Sequence, residues 1–160
     1  MTATDAGAGA PLVGHRAPEL SLPSTAGSDV SLAGFHGERH VLLAFFPLAF
    51  TSTCTAEMHC FTDDFEQFQR TGTVVLPISV DSIPTLREFK AKYGYTVDFL
   101  SDFKRDASRR YGVLLEDRFF SKRAYFLIDR AGILRWRHIE AELGSKRDDA
   151  ELLAQIAHLA

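Results

Sequence analysis

Val41-Leu42-Leu43-Ala44-Phe45-Phe46 is an unbroken apolar run closed by Pro47. A strand with one wet face alternates polar and apolar side chains, so a run apolar at every position needs cover on both faces. That requirement places it in a central sheet between two layers, and 160 residues are enough to build one such domain. The run is far below the roughly 18 apolar residues of a membrane-spanning helix, and no other run approaches that length.

The rest of the chain supplies partners for this strand. Residues 73–80 form a second apolar run, whose internal Pro77 argues against a regular central strand. Runs at 124–128 and 132–137 flank Asp129-Arg130-Ala131-Gly132, which reads as a hairpin turn. Met58, Phe61, Phe65 and Phe68 are spaced as one face of a helix over about 54–70. Leu86, Phe89 and Tyr93 mark a second helix over about 83–93, and a short one fits 105–111. A last helix over about 148–159 turns Leu152, Leu153, Ile156 and Leu159 inward, with Asp148 and Asp149 favouring its N-terminus. This order predicts an α/β fold with a mixed central sheet and helices on both faces, in a thioredoxin-like arrangement. Residues 1–12 are small and polar and read as a flexible N-terminal tail, leaving 13–160 as the single domain.

Charge and cysteine usage narrow the partners. Eighteen Lys and Arg against 21 Asp and Glu give a net charge of −3. Without a basic block, neither nucleic acid nor an anionic membrane is expected as a partner. The first ten residues have neither a basic n-region nor an apolar h-region, so they do not read as a signal peptide. Two cysteines make no disulfide scaffold, which points to a reducing, cytoplasmic setting.

The chemistry concentrates where the first strand meets the first helix, in Pro47-Leu48-Ala49-Phe50-Thr51-Ser52-Thr53-Cys54-Thr55-Ala56-Glu57. At ~100° per residue, Cys54 falls on the apolar side of the helix in its first turn. Free backbone N–H groups and the positive end of the helix dipole there favour thiolate, the reactive form of cysteine. Pro47 ends the strand and stiffens the turn. Thr51 and Ser52 bring hydroxyls that can cap the helix or bind a polar ligand.

Pro47, Thr51 and Cys54 match P-x-x-x-T-x-x-C, and in this the sequence resembles the peroxiredoxins, a family of thiol peroxidases. Gly14-His15-Arg16-Ala17-Pro18 is similar to the family's opening, and Ser79-Val80-Asp81 to the end of its second core strand. Leu100-Ser101-Asp102, Tyr111-Gly112-Val113 and Arg123 before Tyr125-Phe126-Leu127-Ile128-Asp129 continue the likeness to the C-terminus. Phe45-Phe46-Pro47-Leu48-Ala49-Phe50-Thr51 is most similar to the one-cysteine, AhpE-like branch, with some likeness to bacterioferritin-comigratory members.

The resemblance implies that Cys54 attacks a peroxide oxygen and becomes sulfenic acid. Hydrogen peroxide, organic hydroperoxides and peroxynitrite are the implied substrates. Arg123 would hold the thiolate charged and stabilise charge developing on the peroxide. Thr51 and the N–H groups of Thr53 and Cys54 would align the peroxide, Pro47 would shield the sulfur, and Glu57 would orient the arginine. The cycle would close on an external thiol, from a thioredoxin-like or glutaredoxin-like protein or a small molecule. No cofactor is implied.

Cys60 is the second candidate. Six residues on an ideal helix separate it from Cys54 by ~10 Å between Cα atoms, whereas a disulfide needs roughly 7 Å or less. Bacterioferritin-comigratory members unwind a helix to join a cysteine at +5, but His59 stands there. A one-cysteine cycle with Cys60 as bystander is the favoured reading, and a two-cysteine cycle with Cys60 resolving is the alternative. A peroxide sensor or chaperone-like redox protein is a further one. Cys54, His59 and Cys60 lack the paired spacing of a zinc site, so no metal is expected. Phe50, Phe119 and Phe120 fall on loops; the resemblance implies a homodimer contact at the active-site edge, which these rings are expected to form.

Overall fold

In the computed structural model, residues 9–159 are described. The strands are β1 (Ser21–Pro23), β2 (Asp29–Ser31), β3 (His40–Phe45), β4 (Thr73–Ser79), β5 (Leu100–Ser101), β6 (Leu114–Leu115), β7 (Phe120–Ser121), β8 (Ala124–Ile128) and β9 (Leu134–Ile139). The helices are α1 (Ser52–Asp63), α2 (Phe65–Arg70), α3 (Ile83–Tyr93), α4 (Asp106–Arg110) and α5 (Asp149–Ala157). Five strands form one sheet in the order β5-β4-β3-β8-β9; β3, β4 and β5 run parallel, β8 runs antiparallel to β3, and β9 antiparallel to β8. β1 with β2 and β6 with β7 form two small hairpins outside it.

β3 lies at the centre and is buried along its whole length. Its side chains alternate between two cores, as a pleated strand requires. Leu42 and Ala44 face α1, α2, α3 and α5 through Met58, Phe61, Phe68, Leu86, Phe89, Leu152 and Ile156. Val41, Leu43 and Phe45 face the other way, onto Leu20, Leu32, Ala107, Tyr111 and Val113. The mixed sheet with helices on both faces is therefore the expected one. No helix among the described residues is long and apolar enough to cross a membrane.

Three expectations change in detail. β4 is an inner strand despite Pro77, which pairs with Ala44. The bonds His40 N–H to Gly72 O and Phe46 N–H to Ile78 O set the parity of β4. Pro77 therefore turns its nitrogen away from β3, on the side where β5 covers only Ile78 and Ser79, and no ladder bond is lost. The expected helix over 54–70 is two helices, broken at Asp64 (φ −101°, ψ 15°). Two successive aspartates are poor helix formers, and the side chain of Asp64 accepts from Gln67 Nε2 at 2.9 Å. The break keeps Phe61 and Phe68 in one core, their rings edge to face at 5.9 Å. Asp149, expected with Asp148 to favour the N-terminus of α5 as a charge, is instead buried, and neither carboxyl oxygen has a hydrogen-bond partner among the described residues.

Of the expected tail, residues 1–8 lie outside the described residues. In the part that follows, the Pro11 carbonyl accepts from Arg137 Nη1 at 2.8 Å.

Candidate active site

After β3 the chain turns sharply into α1. The Ala49 N–H donates to Asp81 Oδ2 at 2.8 Å, and Ser79 Oγ donates to the same oxygen at 2.7 Å. This ties the turn to the end of β4. Phe50 follows at φ 71°, a left-handed backbone that costs a bulky residue about 1–3 kcal/mol. Its ring rests on Phe89, 4.9 Å between centroids, which helps hold that conformation. Pro47 is buried beneath the turn.

Thr51 is the N-cap of α1, but its hydroxyl donates to the Leu48 carbonyl at 2.7 Å rather than capping the helix. The first intrahelical bond runs from Thr55 N–H to Thr51 O at 2.8 Å. The N–H groups of Thr53 and Cys54 precede it and lack an acceptor one turn back, as at any helix start. They belong to the positive end of the helix, in the same first turn as Cys54.

Two elements meet at that sulfur. α1 carries Cys54 and, one turn on, Glu57; β8 is preceded by Arg123 and contains Tyr125 two residues later. Cys54, Glu57 and Arg123 are each 1% exposed or less. Arg123 Nη2 donates to Cys54 Sγ at 2.9 Å, and Nη1 donates to Glu57 Oε1 at 2.6 Å. Tyr125 Oη donates to Glu57 Oε2. Arg123 Nε is buried without an acceptor among the described residues.

The electrostatics follow from this packing. Burial opposes the Arg123 charge, but Glu57 and Cys54 outweigh it and hold the guanidinium more firmly protonated than usual. Burial pushes Glu57 up against the pull of Arg123 and its hydrogen bonds. Burial and the charge of Glu57 push the Tyr125 phenol far up, so it stays a neutral donor.

Cys60 lies on the same unbroken helix, half-buried and away from this cluster. Burial, with Asp149, Asp64 and Asp63 around it, pushes its thiol up; Lys146 offsets part of this. Of the sequence candidates, the structure thus brings together Cys54, Arg123 and Glu57, sets Thr51 and Pro47 at the turn above them, and leaves Cys60 apart. Asp81 and Tyr125 were not singled out. Asp81 stood in a quoted motif without a task, and Tyr125 lay in an apolar run that reads as core.

A cysteine at a helix start, a buried arginine on its sulfur and a mixed sheet with helices on both faces together define a thiol oxidoreductase of thioredoxin-like fold. Residues 13–137 match the AhpC/TSA family model, and the chain belongs to that family. It is 36% identical over 138 residues to the alkyl hydroperoxide reductase E of Mycobacterium tuberculosis, covering 85% of this chain and 90% of that protein. It is 37% identical over 128 residues to a bcp-type peroxiredoxin of Coxiella burnetii, covering 76% and 84%. The crystal structure of the reduced 2-Cys peroxiredoxin of Plasmodium vivax superposes with a TM-score of 0.85 at 31% identity, covering 93% of this chain and 82% of that one. The activity of the class is reduction of peroxides at the expense of thiols, and this chain is such a thiol-dependent peroxidase, an oxidoreductase.

Proposed function

We propose that Cys54 is the peroxide-attacking cysteine, served by Arg123, Glu57, Thr51 and Pro47, and that an external thiol completes the cycle. The observation that carries this reading is Arg123 Nη2 at 2.9 Å from a buried Cys54 Sγ. A guanidinium fixed on a sulfur in a water-poor site stabilises a thiolate charge at close range, where screening is weak.

In the reaction, the Cys54 thiolate gives an electron pair to one oxygen of ROOH and the O–O bond breaks. Sulfur keeps that oxygen as sulfenic acid, and the leaving RO⁻ takes a proton and departs as ROH. Sulfur loses the two electrons that the peroxide gains. Negative charge on both oxygens grows during the transfer, so donors already in place stabilise the transition state more than the bound peroxide. The free N–H groups of Thr53 and Cys54 and the remaining guanidinium hydrogens are such donors, while the Thr51 hydroxyl, whose hydrogen goes to the Leu48 carbonyl, offers the peroxide O–H an acceptor. A thiol then attacks the sulfenic sulfur and expels water, and a second thiol releases Cys54 from the mixed disulfide. Alkyl hydroperoxides are the favoured substrate, by likeness to the mycobacterial relative, with hydrogen peroxide and peroxynitrite also accepted.

A one-cysteine cycle is favoured because Cys60 sits on the unbroken turns of α1 and its thiol is pushed up. A resolving thiol must both reach the sulfenic sulfur and ionise. The reading includes a cytoplasmic setting, supported by two free cysteines. It also includes a homodimer through the active-site edge, supported by Phe50 and Phe119, 43% and 59% exposed. Stopped-flow oxidation by peroxide tests the core of it: Cys54→Ser abolishes turnover, and retained turnover rejects the assignment. Sedimentation at micromolar concentration tests the dimer, which a monomer mass rejects.

A further inference from the structure

We infer that Tyr125 is a positioning residue for this site, holding the Glu57 carboxylate that aims Arg123 at the sulfur, with the main chain at Arg147 as its outer anchor. The inference rests on Cys54 being the reacting group. Arg123 and Tyr125 stand two apart, so both side chains leave on the same face, toward α1. The direction of each hydrogen bond is forced. The Arg147 N–H, 3.1 Å from Tyr125 Oη, can only donate. The single hydroxyl hydrogen is therefore free for Glu57 Oε2. Glu57 Oε1 takes Arg123 Nη1 at 2.6 Å, and Nη2 is left for the sulfur at 2.9 Å. One chain of bonds thus runs from the segment before α5 to Cys54.

Both ends of the chain are anchored. Arg147 Nε donates to Glu140 Oε2 at 2.8 Å, and Glu140 is itself buried. At the inner end, Glu57 has two oxygens and two donors, and it is too deep for water to replace either. A phenylalanine would fill the same volume on β8. The hydroxyl adds a buried polar group that is tolerated only because both its bonds are made. Without it, Glu57 Oε2 has no donor, the carboxylate takes up a proton more readily, and its hold on Nη1 loosens. Burial and the neighbouring Glu57 charge keep the phenol protonated, so the bond persists across the working pH range.

The test is the second-order rate constant for Cys54 oxidation by hydrogen peroxide, measured from about pH 5 to about pH 9. Tyr125→Phe lowers it about 10-fold and moves the ascending limb to higher pH by roughly half a unit to one unit. In a Glu57→Gln background the same change costs less than about 2-fold, because its partner is already altered. An unmoved limb, or a loss that simply multiplies with that of Glu57→Gln, overturns the inference. Should Tyr125→Phe not fold, 3-fluorotyrosine at 125 keeps the shape and strengthens the donor. A limb displaced to lower pH then supports the inference, and an unmoved or raised limb overturns it. Cys54→Ser separates the two levels. Turnover in that variant removes the peroxidase site itself, whereas a dead Cys54→Ser beside an unaffected Tyr125→Phe removes only the role of Tyr125.

Discussion

Helix α1 carries two cysteines in opposite surroundings. Cys54, in the first turn, is buried against a guanidinium; Cys60, near the other end, is half-buried among three aspartates. Both sit on one helix, about 240° apart around its axis, and only Cys54 has the free N–H groups of the first turn. The rest of the difference comes from what the fold packs against each. β8 delivers Arg123 to the N-terminal end, whereas α5 delivers Asp149 toward the C-terminal end. The surroundings of each cysteine are thus set by tertiary neighbours as well as by its own segment.

The bluntest way to break this contrast is to exchange the sulfurs one at a time. Cys54→Ser lowers peroxide consumption by at least about 1,000-fold, the scale of losing a nucleophile, while Cys60→Ser keeps it within about 2-fold. Intact mass after one equivalent of peroxide should show one added oxygen. Loss of two hydrogens without added oxygen would mean a Cys54–Cys60 bridge and would erase the distinction.

Removing the arginine comes next. Arg123→Met lowers the oxidation rate by about 100-fold or more, the scale of losing one preorganised donor to a transition state. It also strands Glu57, and breaking a buried pair costs about 3–5 kcal/mol, so thermal unfolding must be followed alongside. A variant that is destabilised yet reacts at the wild-type rate would make Arg123 structural only.

Alkylation by iodoacetamide sharpens the comparison at the other end. Cys60 should label slowly through neutral pH and accelerate only above the usual thiol range, because burial and nearby carboxylates oppose its thiolate. Rapid labelling of Cys60 at pH near 7 would show that this environment is not as inhospitable as described.

The smallest effect concerns Asp149. Burial, followed by Asp64, raises its carboxyl to about 8. Its folded-state value lies above the unfolded one, so the folded chain keeps a proton that the unfolded chain has lost. The stabilisation is complete below about pH 4, the ordinary aspartate range, and fades as pH rises toward 8. Asp149→Asn should therefore flatten the loss of stability between those limits, raising the midpoint near pH 8.5 by a few degrees, on the order of 1 kcal/mol. The Cys60 thiol should fall slightly in the same variant. An unchanged pH profile of melting would place the Asp149 charge in water.

The sequence declared most of the central sheet, because β3, β4 and β8 are apolar beyond any half-solvated pattern. It did not declare the β1–β2 and β6–β7 hairpins. Two or three residues per strand are too few to show a period. The break at Asp64 was hidden because Phe61, Phe65 and Phe68 keep helical spacing across it. Within the site, Pro47, Thr51, Cys54, Glu57 and Arg123 were legible from motif and spacing, since their chemistry is unusual in those places. Tyr125 was not. Four apolar neighbours make its hydroxyl look incidental, and its two partners lie 68 and 22 residues away along the chain.

The place of Pro77 in β4 has a consequence for the sheet. Pro77 is buried, and the register turns its nitrogen to the side where β5 reaches only Ile78 and Ser79. Any other residue there would bury an N–H with no β5 carbonyl opposite it, and proline has none to leave unmet. The residue that looked least suited to an inner strand thus spares the sheet a stranded donor.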